Sequence, residues 1–164
     1  MKRVYHLDVE RAEIEGARIT VLPGDPARVE RIAQALDEGA RELAWNREYR
    51  ACLGTLGDRP VLVMSTGKGG PSASIAVDEF AQLGVETFLH VGTTGSIGPD
   101  VASGDVVFMT GAVRPDGPST HYAPIEYPAV AHHEVVRALA DAARAEGVRY
   151  HIGVTAPSDT FYPG

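Results

Sequence analysis

PVLVMSTGKGGPSASIAVDEFAQL, residues 60–83, changes character halfway. PVLVMST (60–66) is an unbroken apolar run of strand length, the pattern of a strand covered on both faces. GKGGPS interrupts it. The spacing then predicts a helix over 72–83, with Ile75, Ala76, Glu79 and Phe80 close together in pitch. A buried strand, a glycine turn and a helix are one repeat of an α/β fold.

The same succession extends to either side. RITVL (18–22) reads as a strand. PGDP follows, with Asp25 placed to cap a helix and Pro26 at its first position. Val29, Ile32, Ala33 and Leu36 continue that helix at i, i+3, i+4 and i+7. Residues 41–55 are strand material, with a hairpin turn at Gly57-Asp58. ETFLHV (86–91) reads as a buried strand ending in GTTGSIG, and GDVVFMTGAV (104–113) as a further strand. RPDGPSTHYAPIEYP (114–128) is too long and too aromatic for a simple connector and is expected to line a site. A helix is predicted over about 129–146, carrying Val130, His133, Val136, Ala140 and Ala143, and a last strand at RYHIGVT (149–155). Together these predict an α/β fold with a mixed central β-sheet flanked by helices, in a single domain over 1–164.

Composition narrows the function. A formal net charge of −7 in 164 residues argues against a general nucleic-acid binder, which shows a basic face. The cations are 13 Arg and two Lys, Lys2 and Lys68. Arginine suits bidentate capture of phosphate or carboxylate, although genome composition gives the same bias. Cys52 stands alone, so neither a disulfide frame nor a zinc spacing exists. MKRVYHLDVERAE lacks the apolar core of a signal peptide, and no apolar run approaches membrane-spanning length. The expectation is a cytoplasmic enzyme or binding domain without membrane or nucleic-acid partners.

Three glycine-bearing turns follow strands: Pro23-Gly24-Asp25-Pro26, Gly67-Lys68-Gly69-Gly70 and Gly92-Thr93-Thr94-Gly95. In open α/β sheets ligands gather at the carboxyl ends of strands. Glycines let backbone N–H groups approach an anion. The sequence thus offers three candidate anion-cradling turns on one rim. Taken singly, each also reads as an ordinary tight turn. Neither a Walker loop nor a dinucleotide fingerprint is present. Arg28 lies one turn behind Gly24, and Arg47 sits in the strand stretch WNREYR. Either suits an anion or is a solvated surface arginine.

Five stretches in order, VLPGDPARV, STGKGGPSASIAVDEFAQLG, FLHVGTTGSI, RPDGPSTHYAPIEYPAVA and VTAPSDTFYPG, resemble the bacterial uridine phosphorylases of the nucleoside phosphorylase superfamily, from about Val4 to Gly164. The resemblance implies that family's fold and phosphorolysis of uridine to uracil and ribose 1-phosphate. No organic cofactor is expected, with inorganic phosphate as co-substrate. It implies that Arg28 and Thr93 are catalytic. Gly24, Arg28, Arg47, His90 and Thr93 would hold phosphate, Arg47 reaching it from a neighbouring subunit. His6, also from the neighbour, and Thr93 would meet the ribose. Thr94, Gly95 and Phe161 would border the uracil. Glu48, Ser72 and the backbone carbonyl of Lys68 match a monovalent-cation site, potassium, at a dimer interface. The implied assembly is a hexamer, a trimer of dimers. Without the resemblance, His6 reads as a mobile terminal histidine, Phe161 as core or turn filler, and Glu48 as a partner for Arg47 or Arg50.

Three departures from the family pattern stand out. His90 occupies the position of a phosphate-binding arginine. Lys68 replaces an apolar residue near the sugar. The chain ends before the family's remaining uracil and ribose contacts, which reads as a truncated chain. The alternatives are a phosphate-independent nucleoside hydrolase, a purine-preferring phosphorylase and a catalytically incompetent fragment.

Overall fold

The computed structural model describes residues 3–160 and 162. The chain divides into two compact units, Met1–Thr93 and Thr94–Gly164.

The first unit is built on a five-stranded mixed sheet. Its elements are β1 (Ile19–Pro23), α1 (Val29–Leu36), β2 (Arg41–Asn46), β3 (Tyr49–Leu56), β4 (Arg59–Met64), α2 (Gly70–Leu83) and β5 (Thr87–Val91). The strand order is β2-β3-β4-β1-β5. β1 runs parallel to β4 and to β5, whereas β2, β3 and β4 form an antiparallel meander. The expected mixed sheet flanked by helices is present.

Both faces of this sheet are covered, which explains the unbroken apolar run at 60–66. On one face α2 brings Ala76, Phe80 and Leu83 together with Leu7, Val9 and Ile14 of the N-terminal segment, over Ala51, Leu53, Leu62 and Met64. On the other, α1 lays Val29 and Ala33 on Cys52 and Val63. Phe80 is fully buried; removing a ring in such a place costs about 3–5 kcal/mol. α2 stops at Gly84, which is left-handed (φ 106°) and donates back to Phe80 and Ala81, while Val85 donates to Phe80.

The sequence reading placed Arg47 in a strand. The structure corrects this: strand β2 ends at Asn46 and β3 starts at Tyr49, so Arg47-Glu48 is a two-residue hairpin turn. Arg47 has a positive φ of 55°, as hairpin turns that follow the strand twist require. Glycine or asparagine normally marks such a turn, and their absence hid it. The second turn, Gly57-Asp58, falls where expected.

The second unit holds β6 (Val106–Ala112), β7 (Ala129–Val130), α3 (His133–Ala145) and β8 (Tyr150–Thr155), with strand order β7-β6-β8. The helix expected from 129 starts only at His133. Residues 129–130 pair antiparallel with Ala112 and Gly111 instead, because β6 offers a free edge there. Asp105 ties β6 to β8. Its carboxylate accepts from Ala102 N–H at 2.9 Å and His151 Nε2 at 2.8 Å, bonds that hold it below its usual range. The 114–128 excursion closes on Arg114, whose guanidinium donates to the carbonyls of Ser119, Ala123, Pro124 and Tyr127, each at 2.7 Å.

Candidate active site

β4, β1 and β5 are neighbours running the same way, so their carboxyl ends share one edge. The turns that follow them are therefore brought together, as the α/β pattern predicts. Pro23 pairs with Val91 in register, and Thr66 N–H donates to Pro23 O at 2.9 Å. A Cβ built on Gly24 would stand 3.4 Å from the Gly67 carbonyl. Gly24, Gly67 and Gly92 thus form one rim. Thr93 follows Gly92 on it and is exposed.

Arg28 closes a single 3-10 turn, Pro26–Arg28, whose first N–H groups are organised by Asp25: its carboxylate accepts from Ala27 N–H at 2.9 Å. That cap sets Arg28 one turn behind Gly24. Among the described residues neither Arg28 nor Arg47 pairs with a carboxylate. Arg31, Arg59 and Arg137 likewise pair with no carboxylate among the described residues, so what distinguishes Arg28 is its place behind Gly24.

His90 is exposed by area at the end of β5, yet its ring packs on Gly92, with Nε2 2.9 Å from where a Cβ would stand. Burial of the ring, and then the charge of Arg28, push it below the ordinary histidine range. His90 and Arg28 therefore share one electrostatic neighbourhood on the rim.

Glu48, Ser72 and Gly67 meet beside the second turn. Ser72 Oγ lies 3.3 Å from Glu48 Oε1 and bonds the Thr66 carbonyl. Gly67 has φ 70°, and a Cβ on it would stand 2.7 Å from both Ser72 Oγ and Glu48 Cγ, so only glycine fits. Glu48 is not the partner of Arg50, whose guanidinium goes to Glu42 at 2.7 Å and Glu30 at 2.9 Å. Lys68 is exposed, with its side chain in no ion pair among the described residues. No cluster of three or more His, Cys, Asp or Glu that could hold a metal ion occurs among them.

His6 is not a mobile terminal residue. Its backbone N–H donates to Glu79 at 3.0 Å, its Nδ1 lies 2.6 Å from Glu79 Oε1, and its carbonyl accepts from Asn46 Nδ2 at 2.8 Å. Glu79 also accepts from Leu7 N–H at 2.9 Å. Burial acts to raise the Glu79 carboxyl, but the Leu7 and His6 donors outweigh it and leave it below its usual range. The sequence reading placed Glu79 on the helix pitch but gave neither it nor Asn46 a link to His6. The available signal was a carboxylate on the apolar stripe of α2, beside Phe80.

Thr94 and Gly95 are exposed and belong to the second unit. Phe161 lies outside the described residues.

The sequence profile of the phosphorylase superfamily matches residues 18–164. This chain belongs to that superfamily. Among curated superfamily proteins, the uridine phosphorylase of Haemophilus influenzae is 52% identical over 164 residues, all of this chain and 65% of the relative. The uridine phosphorylase of Escherichia coli K12 is 52% identical over 161 residues, 98% of this chain and 63% of the relative. A guanosine phosphorylase of Halorubrum lacusprofundi is 40% identical over 162 residues, 99% of this chain and 66% of the relative. The chain spans just under two thirds of the length of these superfamily relatives. No helix among the described residues is long and apolar enough to cross a membrane.

Proposed function

We propose that the rim at Gly24, Gly67 and Gly92 is the phosphate side of a uridine phosphorylase active site, and that the protein cleaves uridine with inorganic phosphate to uracil and ribose 1-phosphate. A phosphate oxygen bonds to C1′ of the ribose while the C1′–N1 bond breaks. The bonding pair leaves with uracil, which takes up a proton. The sugar carries positive charge in passing, so catalysis lies in holding the phosphate beside it and stabilising the departing base.

Gly24 N–H, Arg28, His90 and Thr93 of one chain hold the phosphate, with Arg47 entering from a neighbouring copy. Thr93 bridges to the ribose, whose hydroxyl meets His6 of that neighbour. The resemblance assigns the uracil contacts to Thr94, Gly95 and Phe161, the last of which lies outside the described residues. Glu48, Ser72 and the Lys68 carbonyl supply hard oxygen donors of the kind potassium takes. The Ser72 hydroxyl proton is engaged by the Thr66 carbonyl, which leaves its lone pairs for a cation. The assembly is a homo-oligomer, a hexamer of three dimers, in the cytoplasm, with no organic cofactor. The observation that carries this reading is the meeting of three glycine turns with an unpaired Arg28 at the carboxyl ends of β4, β1 and β5.

The test is uridine cleavage with and without phosphate, by residues 1–164 and by any longer product of the gene in parallel. Strict phosphate dependence is expected, together with a loss of about 10²–10³ in kcat/KM for Arg28→Ala. Cleavage without phosphate would mean hydrolysis and overturn the reading. The guanosine-cleaving relative favours a second possibility, a purine substrate; rates on uridine and guanosine side by side decide between them.

A further inference from the structure

His6 is held on three sides in a way its place near the chain start does not require. Glu79, buried in α2 at 8% exposure, spends its carboxylate on this one stretch of backbone and ring. Tyr5 packs edge-on against the imidazole at 4.9 Å. Asn46 fixes the His6 carbonyl, and Asn46 directly precedes Arg47. Residues 6 and 47 are thereby joined through one side chain.

We infer that Glu79 is a positioning residue: it locks His6 as the Nδ1–H tautomer and leaves Nε2 as the nitrogen presented to the ribose 5′-hydroxyl of a neighbouring copy's nucleoside. The chemistry follows from the bond. A carboxylate only accepts, so the proton of a neutral imidazole sits on Nδ1 and the lone pair on Nε2. The His6 side chain is 45% exposed, so the ring reaches outward while its inner edge is anchored. A buried carboxylate with three protein donors does not swing, and the ring's orientation is set before a nucleoside arrives. This inference rests on the proposed nucleoside phosphorolysis.

The experiment compares uridine with 5′-deoxyuridine on the full-length protein, the Glu79→Gln and Glu79→Asp variants, and His6→Ala. In the unchanged protein, nitrogen-resolved NMR of His6 should show the proton on Nδ1. Glu79→Gln, whose amide can also donate to the ring, should mix the tautomers. It should lower the uridine to 5′-deoxyuridine ratio of kcat/KM about tenfold, the equivalent of about 1.4 kcal/mol. Glu79→Asp should restore part of that ratio, and His6→Ala should lose it fully. Equal losses on both substrates, or a His6 proton on Nε2 in the unchanged protein, would overturn the role of Glu79 alone. If the unchanged protein cleaves no uridine with phosphate, the reading of function falls and this inference falls with it. Should Glu79→Gln fail to fold, the Glu79→Asp ratio and the NMR of the unchanged protein still decide.

Discussion

The side-chain amide of Asn46 donates to the main-chain carbonyl of His6 at 2.8 Å, tying the N-terminal segment to the hairpin whose turn is Arg47-Glu48. Both residues proposed to reach a neighbour's site therefore stand on one support. Asn46→Ala removes one such bond and should cost about 1 kcal/mol of stability, read as a lower urea midpoint. The same substitution should raise the KM for both phosphate and uridine, because Arg47 and His6 lose a shared anchor. A change confined to one substrate would refute that coupling.

Gly67 admits no side chain. Its φ is 70°, and Glu48 Cγ and Ser72 Oγ each lie 2.7 Å from where a Cβ would stand, so Gly67→Ala must displace the second turn of the rim. The expected loss is about 2–3 kcal/mol, from strain and overpacking together. Thermal unfolding measures it. A variant as stable as the parent would show that the turn yields freely.

His90 gives a pH dependence with a definite sign. Burial and Arg28 depress its folded-state value, so at neutral pH the free site holds it uncharged. The unfolded chain takes up a proton near pH 6.5 while the folded chain does not. Its contribution to stability is therefore whole above about pH 6.5 and is lost as pH falls below that. Replacing it with asparagine should flatten stability against pH below about 6.5.

Phosphate reverses the preference, since an anion favours the charged ring. Affinity for phosphate should then weaken as pH rises, more steeply than in His90→Arg, where the positive charge is permanent. Phosphate KM measured from about pH 5.5 to 8 on both proteins gives the comparison and cancels the titration of phosphate itself. Parallel profiles would exclude a protonated His90 from the phosphate site.

Arg114 organises the 114–128 excursion by donating to four backbone carbonyls. Arg114→Lys cannot reproduce a planar fork of donors and should fail nearly as badly as Arg114→Ala. Hydrogen exchange over residues 114–128 should rise at least tenfold in either variant, corresponding to about 1.4 kcal/mol or more of lost local stability. Unchanged protection would place the order of this stretch elsewhere.

Local pattern alone located the strand before each glycine turn, the Asp25 cap and the helix behind it, because each depends on residues a few positions apart. The rim at Gly24, Gly67 and Gly92 was legible for the same reason: in a parallel arrangement, strand ends predict where turns gather. The Arg47-Glu48 turn was not, since an arginine at positive φ is dictated by the pairing of β2 with β3 and carries no glycine to announce it. Nor was the short strand at Ala129–Val130, whose partners Gly111 and Ala112 lie on the far side of the Pro-rich excursion and whose own composition suits a helix. The desolvation of His90 and the grip of Glu79 on His6 belong to the same class. A histidine's environment and a carboxylate's partners are set by contacts across the fold, 73 residues apart in the second case. Sequence determined the elements and the chemistry available at their ends. Tertiary packing alone decided which charges stay unpaired, which ring nitrogen faces a carboxylate, and which residues stand together.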